Sequence, residues 1–476
     1  LAAFSVSPLT LVPQFSPSIH DYYVRCAAGA NALTVSMEAS PGASSALTMP
    51  EHSLSKPRQT LSVSVSENQA IVATATAGEA REEYWVRCLP HDFPTLSMQA
   101  HPEAGTPTPG YYITGNGGRT PGFPMVVDGN GVPVWYIETT ESGVSNVDNV
   151  VDGGISFFWT WKTDPVQIQY MSPWSRSTAA PSGQELDTHE LRIAPNGDYL
   201  VLSYPTVTGV DLSGLPNLAL PDGGVETQMF DCQVLEFEPK TGKIVWSWVA
   251  SEHFDPVKDS IVPGLSLQAG EVAADVWHCN SIDIDPANGN LLVSSRNMNS
   301  VFYIDKKTKA VLWKVGGSSY SKDNAIYVPV TKGEGGSAFI QQHDGRLQTW
   351  SETTGRGQIS VFDDESDADN PARGLLLDVN TGADGTKPSA SVAFQYAAEG
   401  NSVDRGSFRI YSDGTRLIGW GKNAAPGLVF TELDPKGNDV LDFSFGKNDV
   451  SYRAVKVPLA DFDLGVMRKT AGLSSP

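Results

Sequence analysis

The chain alternates between apolar and polar positions in short runs. In "ALTVSMEA" the apolar Leu33, Val35 and Met37 fall on one face of a period-two strand. In "TLSVSVSENQAIVATATA" Leu61, Val63 and Val65 repeat the pattern. A polar turn follows at Glu67 and Asn68, and Ile71 and Ala73 resume the alternation, which predicts a hairpin. Leu-rich runs of helical period are nearly absent, so the predicted class is all-β. Residues 1–98 read as a small β-sandwich, with His20 and His91 lying singly at its surface. "QAHPEAGTPTPG" reads as a Pro- and Gly-rich linker at residues 99–110.

Beyond the linker one unit recurs: a strand, a turn built on Asp, Pro or Gly, and a strand ending in an aromatic residue. "MVVDGNGVPVWYI" reaches Trp135, "VLEFEPKTGKIVWSW" Trp246, "VFYIDKKTKAVLWKV" Trp313 and "FTELDPKGNDVLDFSF" Phe443. The Trp246 to Trp313 spacing, set against the length that follows the linker, gives about six units of four strands each. The fold predicted for residues 111–465 is therefore a six-bladed β-propeller, followed by a C-terminal tail at 466–476. A propeller has a funnel where the inner strands converge, and a site is expected there.

Between the aromatic-ending hairpins lies a second set. "HELRIAPNGDYLVLS" starts at His189, "HCNSIDIDPANGNLLVSSR" at His278 and "HDGRLQTWSETTGRGQISVFDD" at His343. "SFRIYSDGTRLIGWG" has the same form but starts at Ser407. If these are inner hairpins, three consecutive units put a histidine at the same open end. Counting back from the turn near residue 287 sets His278 opposite Arg296 or Asn297. Asn280 lies on the face of His278.

Composition narrows the function. With 33 Lys and Arg against 54 Asp and Glu, the net charge is −21. Such a surface repels nucleic acid and anionic membranes, and no basic cluster overrides it. No apolar run is long enough to span a bilayer. The first residue is Leu1 rather than Met, so a leader has been removed or the chain trimmed. "DYYVRC" and "EEYWVRC" end at Cys26 and Cys88; a disulfide there suits a secreted protein, and two buried thiols in equivalent strands are the alternative. Cys232 and Cys279 flank the later motifs, free or paired.

Three histidines invite a metal, since zinc takes three readily. Against that, Arg296 is a cation beside them, and no carboxylate is paired with the set unless Asp344 is. An Arg with several His and an Asn is better matched to a group carrying three oxygens around sulfur or phosphorus. Neutral imidazole attacks such a centre, Arg grips its oxygens, and a second His protonates the leaving oxygen. Each residue also has a structural reading: His189 as a blade-to-blade hydrogen-bonding His, His343 paired with Asp344 at a turn edge, Arg296 in a blade-to-blade salt bridge. "FFWTWKTDP" (157–165) and Trp277 are core or pocket wall, and "DDESDADNPAR" (363–373) reads as a solvated acidic loop.

Over roughly residues 110–465 the sequence resembles the bacterial arylsulfate sulfotransferase family. The segments that carry the likeness are "WHCNSIDID", "NLLVSSRN", "HELRIAPNGDYLVL", "FIQQHDGRLQ" with "GQISVFDD", and "GYYITGN" with "VVDGNGVPVWY". The N-terminal segment is similar to the cadherin-like sandwich joined to some propellers. The resemblance implies ping-pong transfer of a sulfuryl group from a phenolic sulfate ester to a phenol through a sulfohistidine. It implies an exported enzyme, periplasmic or extracellular, without cofactor or catalytic metal. It casts His343 as nucleophile, His278 as general acid and base with Asn280 beside it, Arg296 as sulfuryl-oxygen ligand and His189 as a further funnel residue. Cys279 departs from the family motif. The alternatives are a non-covalent cyclisation or rearrangement of a secondary metabolite in the same funnel, a non-enzymatic extracellular binding protein, and hydrolysis of the ester.

Overall fold

The computed structural model describes all residues except 118–119, 140–142, 151–152, 160–165, 179, 182, 217, 219–226, 269–270, 332–338, 365–369, 423–426, 447–448 and 474–476. Among the described residues nine sheets form. Helix is confined to Ala250–His253, Pro256–Asp259, Leu459–Asp461 and Leu464–Thr470. None of these is long and apolar enough to cross a membrane.

Two sheets make the N-terminal sandwich. One holds Ala3–Ser7, Ala30–Glu38 and Arg58–Ser66; the other holds Asp21–Arg25, Ala80–Leu89, Ala70–Ala77 and Ser44–Met49. The strands either side of Glu67 and Asn68 thus belong to opposite sheets. The alternation predicts a hairpin there, and the chain instead makes an arch. Val63 and Val65 enter the core from one side, Ile71 and Ala73 from the other. Period two fixes which face is apolar but not which neighbour a strand pairs with. Cys26 and Cys88 form a disulfide across two parallel neighbours in the second sheet, with Cα atoms 5.5 Å apart.

Six further sheets follow one another along the chain. The first is Tyr111–Asn116, Phe123–Val127 and Pro133–Tyr136, completed by Val455–Val457 from the far end of the chain. The next five begin at the strands Val144–Val150, Leu191–Ile193, Cys279–Ile284, His343–Ser351 and Ser407–Ile410. The last of them gains Leu96–Ala100 as an added strand, antiparallel to Asp439–Phe445. The expected sandwich–linker border at 98/99 therefore falls inside a propeller strand. Both ends of the propeller sequence are stitched into its first and last sheets.

The innermost strands close a ring. Arg453, before Val455, donates to Asp148 at 2.8 Å, and Asn146 donates to the His189 carbonyl at 2.7 Å. Arg192 donates to Asp283 at 3.4 Å, and Asn280 donates to the Gln342 carbonyl at 2.7 Å. Arg409 donates to Asp344 at 2.8 Å, and the Ala454 amide donates to Ser407 Oγ at 3.2 Å. Six sheets, six links, and the last returns to the first. The outer aromatic residues fill the space between sheets: Trp135 and Phe443 are fully buried and Trp313 nearly so. Each such side chain contributes roughly 1.5–3 kcal/mol.

Two features escape the repeat count. Thr206–Thr208 and Gln228–Phe230, from within the third unit, join Gly264–Gln268 and Glu271–Asp275, from the connection to the fourth, in an inserted sheet. The expected tail at 466–476 begins inside the helix Leu464–Thr470. That helix buries Met467 in a core shared with Phe93 and Tyr136, and Arg468 grips Asp21 of the sandwich at 2.6 and 2.7 Å.

Candidate active site

The inner hairpins carry the histidines to one place. Leu191–Ile193 pairs with Tyr199–Ser203, Cys279–Ile284 with Leu291–Ser295, and His343–Ser351 with Arg356–Asp363. His189, His278 and His343 stand at or just before the start of the three inner strands. One ring nitrogen from each lies within 4.8 Å of the others. The rings of His189 and His278 meet edge to face at 4.9 Å, and His189 and His343 stack at 6.4 Å. Residues separated by more than 150 positions thus share one small volume.

The register places Arg296 where counting from the turn puts it. Its amide donates to the His278 carbonyl at 2.9 Å, and the Asn297 amide donates to the Trp277 carbonyl at 3.1 Å. The Arg296 guanidinium donates to Asn297 Oδ1 at 3.1 Å and to the Val403 carbonyl at 3.4 Å. Asn280 is fully buried and acts across the ring: its Nδ2 holds the carbonyl of Gln342, next to His343, while its Oδ1 has no hydrogen-bond partner. Asn146, two units earlier, does the same for His189 itself. In both, an amide from one sheet fixes the backbone that carries the next sheet's histidine.

Each imidazole is also held by a carboxylate. His189 Nδ1 meets Asp187, His278 Nδ1 meets Asp275 and His343 Nδ1 meets Asp364, each at 2.5 Å. The structural reading that pairs His343 with Asp344 is therefore wrong; Asp344 binds Arg346 and Arg409 instead. Asp364 comes from the stretch that reads as a solvated acidic loop. Both Asp363 and Asp364 are fully buried, and residues 365–369 lie outside the described set. Asp275 ends a strand of the inserted sheet, which is why no repeat count finds it.

Burial is the largest influence on His343, and it pushes the ring's pKa well down. Arg296, His189, His278 and Arg453 add to this by repelling a second positive charge. The imidazole is thus neutral at neutral pH. Burial would raise the Asp275 carboxyl, but the charge and hydrogen bond of His278, with Arg296, bring it below its ordinary value. Asp364 goes the other way: burial raises it, and Arg296 only partly offsets that.

The backbone at these positions is strained. His278 has φ 49°, Asp344 φ 54° and Asn146 φ 47°, all in the left-handed region that costs a non-glycine residue of order 1–3 kcal/mol. At His278 a second constraint holds the shape: Cys279 is disulfide-bonded to Cys232, Cα atoms 6.0 Å apart. The residue that departs from the family motif thus tethers the segment between His278 and Asn280 to the neighbouring sheet.

Two aromatic residues complete the site, and the sequence does not announce either. Tyr204 lies 6.2 Å from the His278 ring and donates its hydroxyl to the Cys279 carbonyl. Tyr452 packs 5.8 Å from His189 and 6.3 Å from His343, and its buried hydroxyl has no partner. Burial raises its pKa far above the ordinary phenol value, so it remains a donor. Tyr452 comes from the closing strand's approach, which has no hairpin of its own to flag it. Trp277 is core rather than pocket wall, as are Phe157 and Phe158; residues 160–165 of that aromatic run lie outside the described set.

The chemistry of the site is imidazole, guanidinium, phenol and amide. No curated protein matches the sequence. Among solved structures, a protein of unknown function from Bacteroides caccae is 13% identical, with a TM-score of 0.40, over 74% of this chain and 99% of that one. The β-propeller domain of Myceliophteria thermophila Cps50 (Swd1) is 10% identical, with a TM-score of 0.35, over 73% and 85%. Apo AztD from Citrobacter koseri is 8% identical, with a TM-score of 0.36, over 74% and 98%. A family model described as arylsulfotransferase (ASST) matches residues 165–446, which is more than half of the chain and contains all three histidines, Asn280 and Arg296. The chain belongs to the arylsulfotransferase (ASST) family.

Proposed function

We propose that the protein transfers a sulfuryl group from a phenolic sulfate ester to a phenol by a ping-pong reaction through a sulfohistidine at His343. The observation that carries this reading is the convergence of three imidazoles from consecutive sheets within 4.8 Å. Family membership supplies the reaction class.

In the first half-reaction the Nε2 lone pair of His343 attacks sulfur. The N–S bond forms, the aryl O–S bond breaks, and the departing phenolate takes a proton from Nε2 of His278. Asp364 accepts the hydrogen bond of His343 Nδ1–H at 2.5 Å, orients the ring and stabilises the positive charge that it carries once sulfated. Arg296 faces the sulfuryl oxygens, whose negative charge it matches. Asn280 positions His343 through the Gln342 carbonyl rather than by touching substrate. In the second half-reaction an acceptor phenol gives its proton to His278, its oxygen bonds to sulfur, and the N–S bond breaks. The acidic surface does not attract anionic donors, so recognition is local to the funnel. Two disulfides and no free cysteine suit a chain matured in an oxidising compartment, hence an exported enzyme.

The test is direct. The protein is mixed with an aryl sulfate, quenched and digested. A peptide containing His343 is expected to gain the mass of one SO3 group, and adding a phenol is expected to remove it. If a broad panel of aryl sulfates yields neither adduct nor transfer, the proposal fails. If transfer proceeds with His343→Ala at an undiminished rate, the sulfohistidine is wrong.

A further inference from the structure

In the transfer proposed above His343 and His278 carry the steps, and His189 carries none. Yet His189 is oriented as carefully as the others. Its Nδ1 is held by Asp187 at 2.5 Å, and its backbone carbonyl is held by Asn146 at 2.7 Å. With the Nδ1 of all three rings occupied by carboxylates, Nε2 is the nitrogen each has left to offer, and the three candidate ligand atoms lie within 4.8 Å of one another. Three ring nitrogens converging on one centre are the donor set that a divalent metal ion takes.

We propose that these three histidines bind a divalent transition-metal ion, Zn²⁺ or Cu²⁺ in class, through their Nε2 atoms. A histidine ligand backed by a carboxylate at its other nitrogen is the arrangement that fixes the ring and raises its basicity in metal sites. Here every member of the triad has one, from Asp187, Asp275 and Asp364. The sequence sets a cation beside these histidines and shows no carboxylate paired with them. Three carboxylates now stand against one guanidinium, and Arg296 is itself engaged by Asn297 and the Val403 carbonyl. Zn–N bonds of about 2.0–2.1 Å need ring nitrogens roughly 3.3 Å apart, which small swings of the rings about their carboxylate anchors provide. Three protein ligands leave the fourth position open. The ion uses the lone pair with which His343 would attack sulfur, so it blocks sulfohistidine formation. The inference stands on side-chain placement and goes beyond sulfuryl transfer, so each can fail without the other.

The experiment uses the full chain dialysed against a chelator. Titration with Zn²⁺ followed by calorimetry is expected to show a tight site at one ion per chain, and Co²⁺ is expected to give the strong visible absorption of a four-coordinate ion. His189→Ala is expected to abolish both. Asp187→Asn, which keeps every ligand, is expected to weaken Zn²⁺ binding about 10–100-fold. One equivalent of Zn²⁺ is expected to prevent the SO3 adduct at His343. A second cluster, His101 with Asp439 and Asp442, also offers three ligand atoms within 4.8 Å. Stoichiometric binding that survives His189→Ala unchanged would place the ion there and overturn the proposal. So would the absence of any tight site, or full adduct formation in the metal-loaded protein. If Zn²⁺ binds as described while no aryl sulfate ever yields an adduct, the metal site stands and the transferase reading falls.

Discussion

Two layers of polar residues lie side by side on the propeller axis, one chain position apart, and they are opposites. His189, His343 and Tyr452 face the funnel. Their immediate successors Glu190, Asp344 and Arg453 turn into the axis and join Asp148, Arg346 and Arg409. In that axial layer three guanidiniums meet three carboxylates. Arg453 reaches Asp148 at 2.8 Å and Glu190 at 3.0 Å, Arg346 reaches Asp344 at 2.6 Å and also Glu190, and Arg409 reaches Asp344 and Asp148 at 2.8 and 3.1 Å. Among the buried side-chain atoms of these six residues only Arg453 Nε lacks a partner. The funnel layer leaves more undone: Tyr452 hydroxyl, Asn280 Oδ1, Asn146 Oδ1 and Asp364 Oδ1 have no partner. A saturated polar layer specifies structure, while an unsaturated one beside it is where a ligand finds its contacts.

The comparison breaks most visibly at His343. His343→Ala is expected to lower transfer by at least about 10³-fold, as for loss of a nucleophile, while the melting temperature stays within a few degrees. A large loss of stability would move His343 into the structural layer. Arg453→Ala is the converse. It strands Glu190 and Asp148 in a dry interior, and is expected to cost about 3–5 kcal/mol in chemical denaturation. If Arg453→Ala unfolds with the wild-type midpoint, the axial layer is not a structural lock.

How far was this division legible in the sequence? The funnel histidines were, because the repeat puts them at equivalent hairpin starts, and the pairing of His278 with Arg296 followed from one turn. The carboxylates behind them were not. Asp187 and Asp275 sit in irregular or inserted segments, and Asp364 is separated from His343 by a whole hairpin. Solvent exposure of an acidic run is a compositional guess, and burial of Asp363 and Asp364 depends on which neighbours the ring supplies. The axial layer was invisible for a related reason. Arg346 and Arg409 are ordinary polar positions in alternating strands, Glu190 and Arg453 lie just before strands, and only ring closure turns their face into an interior. The same limit made an arch look like a hairpin at Asn68: period two reports faces, not partners.

Acid should weaken the axial layer only below the ordinary aspartate range. Burial would raise the Asp148 carboxyl, but Arg409 and Arg453 outweigh it and bring its pKa down to about 2. Unfolded, an aspartate titrates near the ordinary value of 3.8. The unfolded state therefore binds the proton first as pH falls. The stabilisation, about 2 kcal/mol, is present above pH 3.8 and is lost as pH drops through about 2. Denaturant midpoints measured between these limits are expected to fall less steeply in Asp148→Asn than in the wild type. Parallel slopes would show that Asp148 gains nothing from its arginines.

The finest test lies at the boundary between the layers. Tyr452 sends its ring against His189 and His343 and its hydroxyl nowhere, while its neighbour Arg453 anchors the axis. Tyr452→Phe removes one oxygen and keeps the packing, so the two roles separate. A buried hydroxyl with no partner carries a desolvation cost of about 1–3 kcal/mol, so its loss is expected to leave stability unchanged or slightly raised. If the hydroxyl waits for a sulfuryl or phenol oxygen, the same change is expected to lower kcat/KM about 5–30-fold, the worth of about 1–2 kcal/mol. A fall in stability with unchanged turnover would reverse the assignment and put Tyr452 with the axis. That outcome would narrow the unsaturated layer to the histidines and their amides, and leave Arg296 as the sole donor to the transferring oxygens.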